Sequence, residues 1–261
     1  MIKHILERAK TIFKLTIKLV AVLLVLTALY SFNLFMMKPF SVDHFLSKEL
    51  ILDLIESPEE LTYVGILDRF DWITKHNSKL SIPQDEDIDN DIKQIEKVIK
   101  TLYKYDDSRL SDIQKSTKKI AIFDYENQLK ELKDFPYLDY PLNQIGGIHL
   151  NTIEFMNSVH PIRSDSEAIA FIKRTDLVKD VYQGVLNHLK KQADNGIYPP
   201  EFVYGHVINQ LDEFINVVNT EHPLYKQFML KIEKLELSND QVDYLEKEMK
   251  RSINESVTPG F

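Results

Sequence analysis

The sequence predicts a nearly all-α protein in which an N-terminal transmembrane helix is followed by a multi-helix domain. Only seven of the 261 residues are glycine, and Lys, Glu, Leu and Ile are frequent, which favours helices. Apolar residues recur at helical spacing through most of the chain, and no segment alternates between polar and apolar residues as a half-buried strand does. The run Leu19–Met37 is uncharged and about long enough to cross a bilayer as a helix.

The charge distribution and the absence of cysteine exclude several classes of function. The net charge is −8, of which the first 18 residues contribute +4 and the rest −12. An acidic body repels the phosphate backbone, so we expect no nucleic-acid partner. The lack of cysteine excludes disulfides, thiolate metal sites, cysteine nucleophiles and a lipid-modified N-terminal cysteine.

The N-terminal region predicts where the protein resides. Residues 1–18 form a basic flank, residues 19–37 a transmembrane helix and residues 38–261 a helical domain. Positive charge before the span places the N-terminus in the cytoplasm, so we expect a single-pass protein of the inner or plasma membrane with its bulk outside the cytoplasm. An uncleaved anchor is favoured over a signal peptide because no small-x-small site precedes Pro39. The third alternative, a buried core helix, is disfavoured by the uniform apolarity and the basic flank.

The first part of the helical domain contains a clear helix start. Residues 43–55 have helical periodicity, and Ser57-Pro58-Glu59-Glu60 is a capping box with proline at the first helical position. The short helix that follows is expected to stop at Gly65. Residues 66–83, which include the only tryptophan, Trp72, are predicted to form a loop packed by its aromatic side chains.

Two longer helices are expected next, over residues 84–105 and 109–133, as an antiparallel hairpin. The acidic run Asp85-Glu86-Asp87 lies at the start of the first helix. We interpret it as a solvated first turn, favoured by the helix dipole, in preference to a metal site.

The second half is predicted to be helical again after an irregular stretch. Pro136, Pro141 and the Gly146-Gly147 pair rule out a continuous helix through residues 135–161. Capping boxes at Ser164 and Ser238 start later helices. A break near Thr175, a stop at Asn195-Gly196 and proline-initiated helices near Pro199 and Pro223 complete the pattern.

No catalytic constellation is visible, so the residues alone assign no reaction. No two histidines have the i, i+4 spacing of a helical zinc site, and there is no HExxH, Gly-x-Ser-x-Gly, P-loop or dinucleotide motif. We therefore name no catalytic residue, no metal ligand and no cofactor in this chain.

The irregular stretch is the best candidate for a binding surface. Segments of this kind between rigid helices often carry binding sites. The cleft-lining candidates are Tyr140, Asn143, Gln144, Gly147, His149 and Tyr198. From the residues alone the alternative is favoured, in which the polar members satisfy the backbone of a buried irregular segment.

Several motifs occur in the order found in the N-terminal half of a bacterial family known as domain of unknown function 885. The chain resembles that family from about Asp43 to Phe261. The matching segments are Ser57-Pro58-Glu59 with Thr62–Gly65, Leu110–Asp112, Tyr140–Gly146, Val159–Ile162, Gly196–Val203 with Val207–Gln210, Pro223–Tyr225 and Glu255–Pro259.

The resemblance implies a fold similar to one half of zinc carboxypeptidases and oligopeptidases, which are helical proteins with a deep cleft. The family's zinc site would lie in the C-terminal half, so none of its residues can be placed here, and zinc is expected only with that half. The resulting expectation is a non-catalytic half that is truncated before the catalytic part and forms one wall of a peptide cleft. The alternatives are a stand-alone, membrane-tethered interaction domain and, more weakly, a metal-independent hydrolase.

Overall fold

The computed structural model describes residues 2–84 and 87–261, and within these residues the regular structure is entirely helical. The principal helices are α1 (Ile2–Met36), α2 (Val42–Glu56), α3 (Pro58–Val64), α4 (Asp71–Thr74), α5 (Asp87–Leu102), α6 (Asp112–Asp134), α7 (Ile148–Glu154), α8 (Asp165–Asp176), α9 (Val178–Asp194), α10 (Glu201–Ile215), α11 (Pro223–Ile232) and α12 (Asn239–Ser252). The all-α prediction is confirmed. The acidic run predicted at the start of α5 includes Asp85 and Glu86, which lie outside the described residues.

Helix boundaries follow the capping signals of the sequence. The Ser57 hydroxyl accepts a hydrogen bond from the Glu60 amide, and α3 ends at Gly65 with a φ of 69°. Ser238 and Gln241 form the full reciprocal box at α12. At α8 only half of the predicted box forms, because Glu167 accepts from the Arg163 amide instead of the Ser164 amide.

Helix α1 is continuous and begins well before the predicted span. The part from Ile12 to Met36 is the one helix of the described chain long and apolar enough to cross a membrane, and it is not buried within the protein. The side chain of Asn33 closes this helix. Its amide nitrogen donates to the Lys38 carbonyl at 3.1 Å, and its oxygen accepts from the Phe40 amide at 3.0 Å. The chain therefore leaves α1 through a fixed, short turn.

The chain divides into two compact units. Unit 1 comprises Met1–Leu52 and Ile95–Asn127, and unit 2 comprises Asp53–Gln94 and Gln128–Phe261. The core of unit 1 contains Val42 and Phe45 of α2 and residues of both predicted hairpin helices. Val98, Leu102 and Tyr105 come from the first, and Ala121, Ile122 and Tyr125 of the second pack against them. The Tyr105 hydroxyl donates to the Pro39 carbonyl at 2.7 Å, and burial raises the pKa of that hydroxyl to about 12. This bond adds a second fixed point to the turn after α1.

Unit 2 contains the larger core, which brings together α8, α9, α11 and α12. Its fully buried side chains include Phe171, Phe228, Leu224, Leu245 and Met249. Apolar faces spaced three and four residues apart on successive helices meet there, as the sequence periodicity predicts.

Residues 66–83 differ from the prediction of a loop packed by aromatics. They contain the 3₁₀ turns Asp68–Phe70 and His76–Ser78 around α4. Trp72 is 75% exposed, and Phe70 is also exposed. The buried residues of this stretch are instead polar, His76 and Asn77.

Arg174 of α8, and not a set of aromatic side chains, holds residues 66–83 in place. Its guanidinium is fully buried and donates to the Lys79 carbonyl at 2.7 Å, to the Thr62 hydroxyl at 2.9 Å and to the His76 carbonyl. Burial lowers the pKa of Arg174 to about 10, so it stays charged at neutral pH. One charged side chain thereby satisfies backbone acceptors that a buried irregular segment must otherwise leave unpaired.

The irregular stretch predicted over residues 135–161 is shorter in the structure. It ends at Gly147, where α7 begins, and α7 continues into a π-turn at Phe155–Val159. Lys231 donates to the Met156 and His160 carbonyls at 3.3 and 2.8 Å. The Lys231 ammonium thus supplies a hydrogen-bond donor where the wider π-turn leaves a carbonyl open. Partial burial lowers the pKa of Lys231 to about 8.

Candidate binding surface

Asn143 organises the turn at the centre of the candidate segment. Its side-chain oxygen accepts from the Ile145 and Gly146 amides at 3.0 and 2.8 Å, and its amide nitrogen donates to the Tyr140 carbonyl at 3.1 Å. These bonds use the side chain on its own loop, as Asn commonly does in turns. Tyr140 itself is partly exposed beside this turn.

Position 147 requires glycine because the chain passes close to itself there. Its φ is −64°, which any residue can adopt. A Cβ at this position would lie 2.6 Å from both the Asn143 backbone nitrogen and oxygen and from the His149 ring. Glycine therefore permits the Asn143 turn to pack directly against the start of α7.

His149 and Gln144 are tied to α10 by Gln210. The His149 ring is fully buried, and its Nε2 lies 2.9 Å from the Gln210 side-chain oxygen, while the Gln210 amide nitrogen donates to the Gln144 carbonyl at 3.1 Å. A carboxamide oxygen can only accept, so His149 is the donor and carries its proton on Nε2. His149 Nδ1 is buried without a hydrogen-bond partner.

Tyr198 lies at the edge of an apolar pocket beside this segment. Its hydroxyl donates to the Ala193 carbonyl at 3.1 Å near the end of α9, and its ring is exposed. The pocket has a volume of about 310 Å³ and contains no charged residue in its lining. It is lined by Leu142, Leu189, Gln192, Ala193, Ile197, Tyr198, Pro199, Val203, Tyr204, Val207, Ile208 and Leu211.

The six predicted residues therefore take different positions. Only Tyr198 lines the apolar pocket, Asn143, Gln144 and His149 participate in the bonds that hold the segment, Gly147 provides space, and Tyr140 is partly exposed. The pocket-lining residues Leu142, Tyr204 and Ile208 were not predicted. Leu142 belongs to the predicted segment, and the other two lie on α10 at positions i and i+4, which is a signal for a shared face.

Another cavity, of about 230 Å³, is lined in part by Tyr137, Asp139 and Pro141 of the segment. His188 Nε2 lies 2.7 Å from Asp139 Oδ1 at its wall, and the Gln192 amide donates to the Tyr137 carbonyl at 2.9 Å. Pro83 also lines it and packs against Gly184, where a Cβ would lie 2.5 Å from the Pro83 oxygen. A single His–Asp pair does not by itself define a catalytic site.

Among residues 2–84 and 87–261, no group of three or more His, Cys, Asp or Glu side chains could hold a metal ion. The described side chains therefore do not provide the donor set that a zinc site requires. What the surface offers chemically is an apolar recess with aromatic edges and hydrogen-bonded walls.

Comparison with known proteins identifies a family and a shared fold. The model of a family described as "Bacterial protein of unknown function (DUF885)" matches residues 58–261. The crystal structure of a "putative lipoprotein" from Colwellia psychrerythraea superposes with a TM-score of 0.67 at 16% identity, over 79% of this chain. The chain spans 38% of the length of that protein. Among curated proteins, nothing matches the sequence.

Proposed function

Because the chain belongs to the bacterial DUF885 family of unknown function, we propose that it is a membrane-tethered helical domain whose second unit forms one wall of a peptide-binding cleft. The observation that carries this proposal is the apolar pocket beside Tyr198. The chain contributes binding surface to the cleft and no catalytic group.

The pocket has the size and lining of a site for one apolar side chain of a peptide. Its volume of about 310 Å³ is at the lower end of the range for small-ligand sites. Tyr198 and Tyr204 provide flat apolar surfaces at little entropic cost, and Gln192 is the one amide in the lining. An aliphatic or aromatic side chain fits this environment, whereas a charged one would lose its hydration without a partner.

Membrane tethering is supported by α1. The segment Ile12–Met36 would extend about 37 Å as a helix, enough for a hydrocarbon core of about 30 Å. The basic residues of the first 18 positions favour a cytoplasmic N-terminus. The Colwellia protein's description as a lipoprotein suggests an envelope location, but this chain has no cysteine to acylate. Its attachment would therefore depend on the helix.

The test is peptide binding to the full chain in lipid nanodiscs. The probes are labelled peptides with one Phe or Leu in a background of Ser and Gly, and an all-polar peptide, followed by fluorescence anisotropy. The variant Ile208→Trp fills the pocket from a half-exposed position. We expect it to abolish the preference for the apolar peptide.

The matched control is Ile51→Trp, since Ile208 and Ile51 are both 54% exposed and Ile51 lies on α2, outside the pocket. If wild type shows no preference, or if Ile208→Trp retains it, the cleft proposal fails. The stand-alone interaction domain would then be the better hypothesis.

A further inference from the structure

Residues 63–73 expose an unusual concentration of large apolar side chains. Tyr63, Val64, Ile66, Phe70, Trp72 and Ile73, here called the aromatic patch, are all at least 44% exposed. They lie on α3, in the turn that follows it, on the 3₁₀ turn Asp68–Phe70 and on α4, within one short run of chain. Single exposed apolar residues are normal, but a contiguous group that includes Trp, Tyr and Phe indicates an interaction surface.

The aromatic patch is exposed because polar side chains hold this segment from its inner side. Asp68 accepts from Arg163 at 2.7 Å, and Asp71 accepts from the Asn77 amide at 2.9 Å. Both carboxylates also lie within 3.4 Å of a ring nitrogen of the buried His76. Both carboxylates of the segment are therefore engaged in contacts on its inner side. The exposed apolar side chains are not needed to hold the segment in place.

Within residues 63–75 the charged side chains classed as exposed are both basic. Arg69 and Lys75 lie between and beside the patch residues and are exposed. Lys75 adopts a φ of 52° and is the one non-glycine residue with a positive φ among the described residues. Glycine or asparagine suits that backbone better, so the position keeps a lysine at a conformational cost. In a body with a net charge of −12 outside the first 18 residues, this is a local basic exception.

We propose that the aromatic patch docks on the membrane surface and that Arg69 and Lys75 bind anionic lipid headgroups. Trp and Tyr rings favour the interface, where the ring is in contact with acyl chains and the polar atom with water. Basic side chains beside them gain from an anionic leaflet. This inference rests on the membrane tethering proposed above and adds a second contact with the lipid.

The tether makes such a contact reachable. Helix α1 ends at Met36 and the patch begins at Tyr63, with the 15 residues of α2 between them. With α2 and α3 helical, the connecting chain can extend about 50 Å at most. Docking of a patch with weak affinity for lipid becomes more favourable in a tethered chain. The tether makes docking an intramolecular step with a high effective concentration.

Trp72 is the only tryptophan of the chain and therefore reports on the patch alone. The experiment uses the full chain in nanodiscs of phosphatidylcholine with and without phosphatidylglycerol, with lipids brominated near the headgroup end of the acyl chain as quenchers. Docking predicts a blue-shifted Trp72 emission that brominated lipid quenches, more strongly with phosphatidylglycerol and less at high salt.

Two double variants test separately the contact of the apolar side chains with lipid and the attraction of the basic side chains to anionic headgroups. Ile66→Asp with Ile73→Asp should remove the quenching, and Arg69→Glu with Lys75→Glu should remove its dependence on phosphatidylglycerol. Ile145→Asp and Lys234→Glu are the controls, since both residues are exposed and lie outside the patch. Circular-dichroism melts of each variant show that the fold persists. Lys75→Gly should raise the melting temperature and still weaken the response to anionic lipid.

The outcomes separate docking from tethering. Failure of the chain to co-elute with nanodiscs refutes the tether. Co-elution with an unquenched Trp72 overturns the docking inference alone. A blue-shifted emission that brominated lipid does not quench also overturns it, because the patch is then covered by protein, such as a second copy of the chain. Loss of quenching in Ile145→Asp equal to that in the patch variant would be a third contradiction.

Discussion

Two irregular segments of unit 2 are each held by one distant side chain, which is charged in the first and neutral in the second. Arg174 of α8 binds the backbone of residues 57–83, and Gln210 of α10 binds that of residues 135–149. The first segment is held by a buried charge and the second by a neutral amide that binds the buried His149. Both leave large apolar side chains exposed, among them Trp72 in the first and Ile145 in the second. When one distant side chain satisfies the backbone, the apolar side chains of a loop are not needed for folding and are available for binding.

The largest expected effect comes from removing the charged support. Arg174→Met leaves the Lys79 and His76 carbonyls and the Thr62 hydroxyl without their donor. We expect a loss of about 3–5 kcal/mol in the free energy of unfolding. Urea unfolding in detergent measures it, and hydrogen exchange should accelerate first at residues 57–83.

The control for this change is Arg109→Met, at a side chain that is 86% exposed. It should change stability by less than about 0.5 kcal/mol. Wild-type stability and exchange in Arg174→Met would show that the first segment is held by other contacts.

Acidification should loosen the first segment through His160. The His160 Nε2 bonds the Asn77 carbonyl at 2.9 Å, and burial lowers the pKa of His160 from its ordinary 6.5 to about 3. The unfolded chain takes up a proton near its ordinary pKa and the folded chain does not. The stability is thus fully present above that pKa and is lost as pH falls toward the folded value, by about 1.4 kcal/mol per pH unit.

Between about pH 6.5 and pH 5 we therefore expect a loss of about 2 kcal/mol from His160. His222, whose pKa burial lowers to about 4, acts in the same direction. Urea midpoints recorded across this range measure the sum. His160→Gln should reduce the slope of the unfolding free energy against pH by the amount that about one bound proton contributes. An unchanged slope would contradict the assignment to His160.

Gln210 should contribute less to the free energy of unfolding than Arg174 does. Gln210→Leu leaves the His149 N–H and the Gln144 carbonyl unpaired, and we expect a loss of about 2 kcal/mol. Gln183→Leu, at an exposed position on α9, is the matched control and should be close to neutral. An effect of Gln210→Leu as large as that of Arg174→Met would remove the distinction between the two segments.

The smallest effect is expected from the backbone of the first segment. Lys75→Gly relieves a positive φ and should stabilise the protein by about 1 kcal/mol. Lys79 has a φ of −126°, so Lys79→Gly should not stabilise. Thermal melts of the two variants provide the comparison, and equal shifts would show that φ is not the cause.

Much of the fold was predictable because it depends on local signals. Ser57 and Ser238 cap their helices through bonds to residues three positions away, and Gly65 and Gly196 end helices with positive φ. Such contacts are contained in a few consecutive residues. The all-α class and most helix positions follow from them and from the apolar periodicity.

The surface of residues 66–83 could not be predicted in this way. Its support comes from Arg174, about a hundred positions along the chain, so nothing near Trp72 indicates that the ring is exposed. The candidate site shows the same limit. Asn143 was recognisable as a turn residue, but the pocket beside Tyr198 forms only when α10 packs near residue 142. Contacts between distant residues decide which side chains a local pattern exposes.

The turn after α1 has a consequence for proteolysis. Asn33 and Tyr105 bind the chain at Lys38, Pro39 and Phe40. A peptidase that requires an extended substrate cannot accommodate this stretch once unit 1 has folded around it. Residues 38–40 should therefore resist cleavage for as long as unit 1 stays folded, so that cutting at this stretch would report the unfolding of unit 1.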